Sequence, residues 1–582
     1  MLEVKYHDGL ARLGILHTRH GKVKLPVFCP VVNPNKLVVK PEEIHKKFKA
    51  ELIMTNSYII YKNKELREVA REKGVHNLLN FPKAIMVDNG GYQIHIYKNV
   101  EISPSEIFKF QEEIRPDIGI VLDYPTSSSM SKEEALETVE VTLRNAREGV
   151  RMRKRRGIIW SAPIQGGRYF DLVKKCAREL SKLPYVMHSL GEPVQFLNNY
   201  EFKIVAEMIY NAKANLPINR AFHLFGAGLP SFMPLAALLG CDIFDSASYA
   251  LFARDDRYMT EFGTLRLDEI EEFPCECEVC SKYSVEEVRE MLKWERERFL
   301  ALHNLYVLFK TMREIRVAIR ENRLFELCAM RCRSHPKLLE AFIFSLKRFR
   351  KLFEKFDPIR KRRGLFYTGK ETFLRPEVVR AKKRVKEIFG KEEVPRELDQ
   401  SYPFFQSLSI EGKDLFKFER KRKVSDLQRL RKIADYQFGK GIGKLLFPRN
   451  VEIIKSPRTQ RIRQILLNKK LVATFRCDDG LLCLRIEGAK RILKKLEGKK
   501  VFLKKNPEFE ELVRKGRDVF TNFIEKVEGE IIPREEVIVL SSDSELLGVG
   551  EAVLSSEEMR LLKRGVAVKV REGAYRSKTM EA

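Results

Sequence analysis

The chain has 582 residues, 44% of them hydrophobic, which is enough for several packed cores (roughly three to five domains by size) and excludes a disordered protein. Lys and Arg outnumber Asp and Glu 109 to 80, giving a formal net charge of +29. Such a surface attracts polyanions and favours nucleic acid as a partner, although a high Lys, Arg and Glu content also marks proteins of hot environments. No apolar run approaches the roughly 18 residues of a membrane span and the first residues carry no signal-peptide core, so the expectation is a cytoplasmic protein without membrane association.

From about residue 26 to 250, short β-rich apolar runs alternate with helical segments. The strands are expected at Pro26–Val32, Leu52–Ile60, Ala84–Asp88, Ile118–Asp123, Ile158–Gln165, Tyr185–Leu190, Ala221–Phe225 and Cys241–Asp245. Helices are expected at 41–50, 64–74, 103–114, 131–155, 169–182, 199–214 and 231–239, two of them opened by Ser-x-x-Glu capping signals. Eight strands alternating with helices suggest a closed α/β barrel, a (β/α)8 TIM barrel. A doubly wound sheet is the alternative, weakened because no glycine-rich dinucleotide loop follows the first strand.

The strand ends are polar. They offer Asp88 before Asn89-Gly90-Gly91-Tyr92, Asp123, Gln165-Gly166-Gly167, Gly191-Glu192, Phe225-Gly226 and Asp245. The carboxyl end of a barrel is where ligand and chemistry meet, so these groups are expected to converge there.

Cys275, Cys277 and Cys280 fall within six residues, and His303 follows in a helical pattern. Three thiolates and an imidazole make a closed tetrahedral zinc site, structural because no position is left for a substrate. The other cysteines are scattered singly, which fits a reducing compartment and not a disulfide framework. The zinc-binding subdomain is expected over about 270–345, within a barrel domain of residues 1–345.

Smaller α+β modules are expected at 346–428 and 429–506. Lys413–Lys423 interleaves Phe416 and Phe418 with basic residues, which fits RNA contacts or, equally, a solvated helix face. Gly439-Lys440-Gly441-Ile442-Gly443-Lys444 follows a helical stretch, fits no phosphate-loop pattern and reads as a helix stop. Residues 507–582 alternate short strands with glycine turns, as in a small β-rich barrel.

Taken together, Asp88-Asn89-Gly90-Gly91-Tyr92-Gln93, Leu122-Asp123-Tyr124-Pro125-Thr126, Ile164-Gln165-Gly166-Gly167, His223-Leu224-Phe225-Gly226-Ala227-Gly228, Phe244-Asp245-Ser246-Ala247-Ser248-Tyr249-Ala250 and the cysteine knuckle resemble the archaeal tRNA-guanine transglycosylases nearly end to end. The tail resembles a PUA RNA-binding domain. The resemblance implies a TIM barrel with one structural Zn2+ per chain, three C-terminal modules and a homodimer. It implies exchange of guanine at position 15 of the tRNA D-arm for 7-cyano-7-deazaguanine, with Asp88 and Asp245 catalytic.

Retention at the ribose needs two inversions, hence one carboxylate as nucleophile and one acid/base group. Asp245 is assigned the first role and Asp88 the second, with the reverse assignment open. Asp123 accepts hydrogen bonds from the guanine edge. Gln165 and the backbone at Gly191 and Glu192 read the opposite edge, and Tyr92 and Phe225 sandwich the ring. Asn89 stands where the family usually has Ser, Tyr92 where Phe is common, and Leu190-Gly191-Glu192-Pro193 replaces a Gly- and Val-rich loop. The competing readings are an RNA-binding paralogue or later-step enzyme without exchange activity, a metal-dependent barrel hydrolase, and a non-enzymatic RNA-binding protein.

Overall fold

A computed structural model describes residues 2–91, 103–362, 365–406, 415–420 and 422–575. The chain divides into two compact units. The first consists mainly of residues 10–320 and 327–349, the second mainly of residues 350–582.

In the first unit eight parallel strands follow one another round a sheet: β1 (Val27–Pro30), β2 (Leu52–Asn56), β3 (Ala84–Asp88), β4 (Ile118–Ile120), β5 (Ile159–Ile164), β6 (Met187–Leu190), β7 (Ala221–Leu224) and β8 (Ile243–Ser246). β8 pairs with β1, and β1 meets β2 where Val32 N donates to Met54 O at 2.8 Å, which closes the barrel. Nearly every strand residue is buried, as expected of a parallel sheet covered by helices. The helices Pro104–Ile114 and Lys132–Met152 start at the expected Ser residues, each with a reciprocal capping box to Glu106 or Glu134.

β2 is shorter than expected. Asn56 turns its side chain onto Ile59 N and caps a helix, Ser57–Lys62, so Ile59 and Ile60 are helical. β4 likewise ends at Ile120, and the residues to Asp123 run on as irregular backbone.

A hairpin, Ala11–Thr18 with Gly21–Leu25, precedes the barrel and was not expected from the alternation. It stoppers the amino-terminal end. Arg12 makes paired hydrogen bonds to Asp242 at 2.9 and 2.7 Å, just before β8, and His20 N donates to Asp117, just before β4. The opposite, carboxyl end is the one left for a ligand.

In the second unit, Glu452–Lys455, Ile462–Leu467, Lys470–Phe475 and Leu482–Leu484 form an antiparallel sheet. A six-stranded mixed sheet contains Lys500–Leu503, Val519–Phe520, Ile524–Glu528, Glu536–Leu540, Leu546–Ala552 and Val566–Gly573. Lys500–Leu503 lies upstream of the expected start at 507, yet pairs parallel with Glu536–Leu540 inside this sheet.

Gly439 ends the helix Asp426–Phe438 and Gly441 caps the next one, so the glycine run is a helix stop. Phe416 is 2% exposed, packed edge-on against Phe404, and Phe418 lies against the same core. Both rings are therefore taken up by packing, and the RNA-stacking reading of that stretch does not hold for them.

Candidate active site

β3 delivers Asp88 at its last position, in register with Asn56 of β2. Asn56 Nδ2 donates to Asp88 Oδ2 at 2.8 Å, and Gly90 N approaches the same oxygen at 3.3 Å. Gly90 has φ +89°, and a Cβ there would lie 2.5 Å from the Tyr58 Cβ, so both conformation and space require glycine. Burial pushes the Asp88 carboxyl up to about 7, helped by the nearby Asp123 and Asp245 carboxylates and opposed by Gly90 N–H.

Asp245, on β8, is 6% exposed. His223 Nε2 donates to its Oδ1 at 2.7 Å, and Gly226 N donates to the same oxygen at 2.9 Å. His223 is fully buried in β7. With Nε2 carrying the proton, its Nδ1 accepts from Ser189 Oγ at 3.1 Å, and Ser189 Oγ lies 2.8 Å from Ser161 Oγ. A polar chain thus crosses β5, β6 and β7 inside the barrel and ends on Asp245.

Asp123 sits between two amides. Asn89 Nδ2 donates to its Oδ1 at 3.0 Å and Gln165 Nε2 to its Oδ2 at 2.5 Å. Both amides have further protein partners: Asn89 with Val121 O and Gly91 N, Gln165 with Thr126 N. Burial raises the Asp123 carboxyl, while the two amides pull it back.

Gly191 N donates to Ile164 O, so its backbone donor is spent within the barrel. Glu192 has left-handed backbone, φ 57°, and accepts from Gln195 Nε2. Burial raises its carboxyl to about 7. Phe225 is half-buried and meets His223 edge-on at 4.7 Å.

The structure brings Asp88, Asn89, Asp123, Gln165, Gly191, Glu192, Phe225 and Asp245 onto one cavity of about 420 Å³ at the carboxyl end of the strands. Tyr92 lies outside the described residues. A larger cavity, about 750 Å³, lies within the second unit and contains none of these groups.

Cys275, Cys277, Cys280 and His303 present ligand atoms all within 4.8 Å of one another. His303 Nε2 donates to Met259 O at 2.8 Å, which leaves Nδ1 facing Cys280 Sγ at 3.2 Å. A ring tautomer fixed by a carbonyl, with the other nitrogen aimed at three thiols, fits a metal ion with no position left over.

Sequence reasoning missed Asn56, Ser189 and His223. Asn56 stands inside the expected strand Leu52–Ile60, and His223 inside a motif that was singled out. Their function lies in cross-strand bonds between residues 32 and 22 positions apart, which no local pattern displays.

The family described as queuine tRNA-ribosyltransferase matches residues 8–337. The patch-forming domain C2 of tRNA-guanine transglycosylase matches 428–499, and the PUA domain matches 506–574. Among curated relatives, a protein of Pyrococcus abyssi (strain GE5 / Orsay) named tRNA-guanine(15) transglycosylase is 43% identical, covering 98% of each chain. One of the same name from Methanocaldococcus jannaschii is 38% identical, covering 98% of this chain and 99% of its own.

Proposed function

Because the chain belongs to the queuine tRNA-ribosyltransferase family, we propose that it exchanges guanine 15 of tRNA for 7-cyano-7-deazaguanine, on the route to archaeosine, through an aspartyl-ribose intermediate. The observation that supports this most directly is that two carboxylates, from β3 and β8, line one cavity in unlike surroundings. Asp245 has its Oδ1 held by two donors, which leaves Oδ2 to attack the ribose C1′. The C1′–N9 bond breaks, its electron pair goes to guanine N9, and Asp88 supplies the proton. Asp88 then takes the N9 proton of the entering base, whose nitrogen displaces Asp245. Two inversions give retention, and the reaction needs no energy source.

Asp123 reads the base. A carboxylate oxygen accepts up to two hydrogen bonds, so each Asp123 oxygen, with one amide already bound, keeps room for one more. N1–H and the exocyclic amine of guanine fill those places. Asn89 and Gln165 act chiefly by holding Asp123, and Gly191 by leaving space for the Gln165 amide. Glu192, protonated near neutrality, donates to the acceptor edge of the base, where an ionised carboxylate would repel it. Phe225 supports the ring face, with Tyr92 expected opposite.

The metal of the Cys275–Cys277–Cys280–His303 cluster is assigned as one structural Zn2+ per chain, tying the knuckle to the helix Lys293–Glu321. The target base must leave its stack to be reached, at a cost of a few kcal/mol. Basic surface on the second unit is the proposed source of compensating tRNA contact. Among the described residues no helix is long and apolar enough to cross a membrane. A cytoplasmic homodimer is part of the same proposal, read by sedimentation with and without tRNA.

The test is incorporation of labelled guanine into an unmodified tRNA transcript, with the cyano-deaza base as competitor. Asp245→Asn and Asp88→Asn should each lose activity by about a thousandfold or more. Wild-type rate in Asp245→Asn would remove the covalent mechanism.

A further inference from the structure

His20, His76 and Asp117 come together at the amino-terminal end of the barrel, away from the strand ends that carry the candidate site. His20 lies in the turn of the hairpin, His76 in the short helix Val75–Leu79 and Asp117 immediately before β4. One ligand atom from each lies within 4.8 Å of the others. His20 Nδ1 is 3.1 Å from both Asp117 oxygens, and His76 Nε2 is 2.8 Å from Oδ2. The two imidazoles stack, with centroids 3.6 Å apart and planes at 26°, so that both aim a nitrogen at one carboxylate.

We propose that these three side chains form a second metal site, for a divalent transition-metal ion. Two imidazoles and a carboxylate are a donor set suited to zinc, iron, cobalt or nickel. Metal–nitrogen and metal–oxygen bonds run about 2.0–2.2 Å. Ligand atoms 2.8–3.1 Å apart then subtend about 90° at the ion, the angle of adjacent corners of an octahedron. A tetrahedron would need them about 3.4 Å apart at the same bond lengths. Three protein ligands leave an octahedral ion further positions for water.

The carboxylate is already oriented: His20 N donates to Asp117 Oδ1 at 2.9 Å and Ile85 N to Oδ2 at 3.0 Å. Such outer bonds to a ligating carboxylate are what metal sites use to fix their ligands. Asp117 is buried, while the His20 side chain is 34% exposed and that of His76 15%, so solvent reaches the site. A bound ion would fasten the hairpin stopper to the helix Val75–Leu79 and to the loop before β4, at the closed end of the barrel. The competing account is two ring N–H donors sharing one carboxylate with no ion.

The full-length protein, with zinc on its cysteine cluster, is dialysed against cobalt(II) at pH 7.5. It is then gel-filtered and both metals are counted per chain. The expectation is one zinc plus about one cobalt, cobalt being held at least tenfold more weakly by His20→Asn and by His76→Gln. Cobalt should raise the melting temperature of the wild type and not that of His20→Asn, whose unchanged exchange activity shows that it is folded. Retention of zinc alone by the wild type, or cobalt retained by both variants as tightly as by the wild type, overturns the proposal and leaves the hydrogen-bonded triad.

Discussion

Adding one methyl group at Gly191 should cost base recognition without touching the base. A Cβ on Gly191 would lie 2.2 Å from Gln165 Nε2, 2.6 Å from its Cδ and 2.9 Å from its Oε1. No side chain tolerates such contacts, and the Gln165 amide, 1% exposed, must swing away. It then loses its bonds to Asp123 Oδ2 and Thr126 N. A hydrogen bond to a charged group contributes about 1.5–3 kcal/mol, which corresponds to roughly 10- to 150-fold in kcat/KM for the free base. The loss should appear for guanine and for its cyano-deaza analogue alike, with tRNA affinity unchanged. The decisive measurement is the double variant. Gln165→Ala removes both the obstacle and the bond, so Gly191→Ala added to it should cost little more. If the two losses instead multiply, the methyl acts through the base pocket or the backbone, and the proposed brace on Asp123 is wrong.

Asp88 is held at about 7, so it carries its proton below that pH and gives it up above. If it protonates leaving guanine, kcat/KM should fall as pH rises through about 7, and a flat profile from pH 6 to 8.5 would refute its role as acid. His223→Leu removes one of the two donors on Asp245 Oδ1 and should lower kcat roughly 10- to 100-fold, with KM for guanine nearly unchanged; a KM effect alone would place His223 in base binding instead. In the turns just before the strands Val519–Phe520 and Val566–Gly573, Arg517, Lys563 and Arg564 are exposed, as is the ring of Phe520. Reversing each charge should weaken tRNA binding and lower the slope of log K against log salt by about one, whereas an unchanged slope would take this surface out of the interface.

What the sequence displays is whatever a local pattern can encode. β3 follows its apolar run Ala84–Val87 and ends one residue beyond it at Asp88, because a strand buried on both faces is apolar along its buried length. The cysteine knuckle is equally plain, since three thiols in six residues have few other uses. Leu52–Ile60 misleads because apolar content alone does not separate strand from buried helix, and the Asn56 cap that divides them is a side-chain choice. Phe416 misleads in the other direction: basic neighbours suggest RNA, but its ring fills a core with Phe404. His223 is hidden most thoroughly. It reads as an interior strand residue and is one, and only the pairing of β7 with β8 sets its ring against Asp245.

That pairing bears on how one cavity could hold two carboxylates with the different duties proposed for them. Burial raises both the Asp88 and the Asp123 carboxyl, and the Asp123 charge raises Asp88 further. Asp123 has an amide on each oxygen, and Asp245 has an imidazole and a backbone N–H on one. Asp88 has Asn56 and a long approach from Gly90, so it is the group that keeps a proton. In the proposed exchange of one purine-like base for another, which is nearly symmetric, Asp88 would give a proton in one half and take it back in the other. A carboxyl at the usual value of about 4 would rarely be protonated at neutral pH, and one far above 7 would not take part as a base. A value near 7 lets it do both, and in this barrel that value comes from burial first and from the two neighbouring aspartates second.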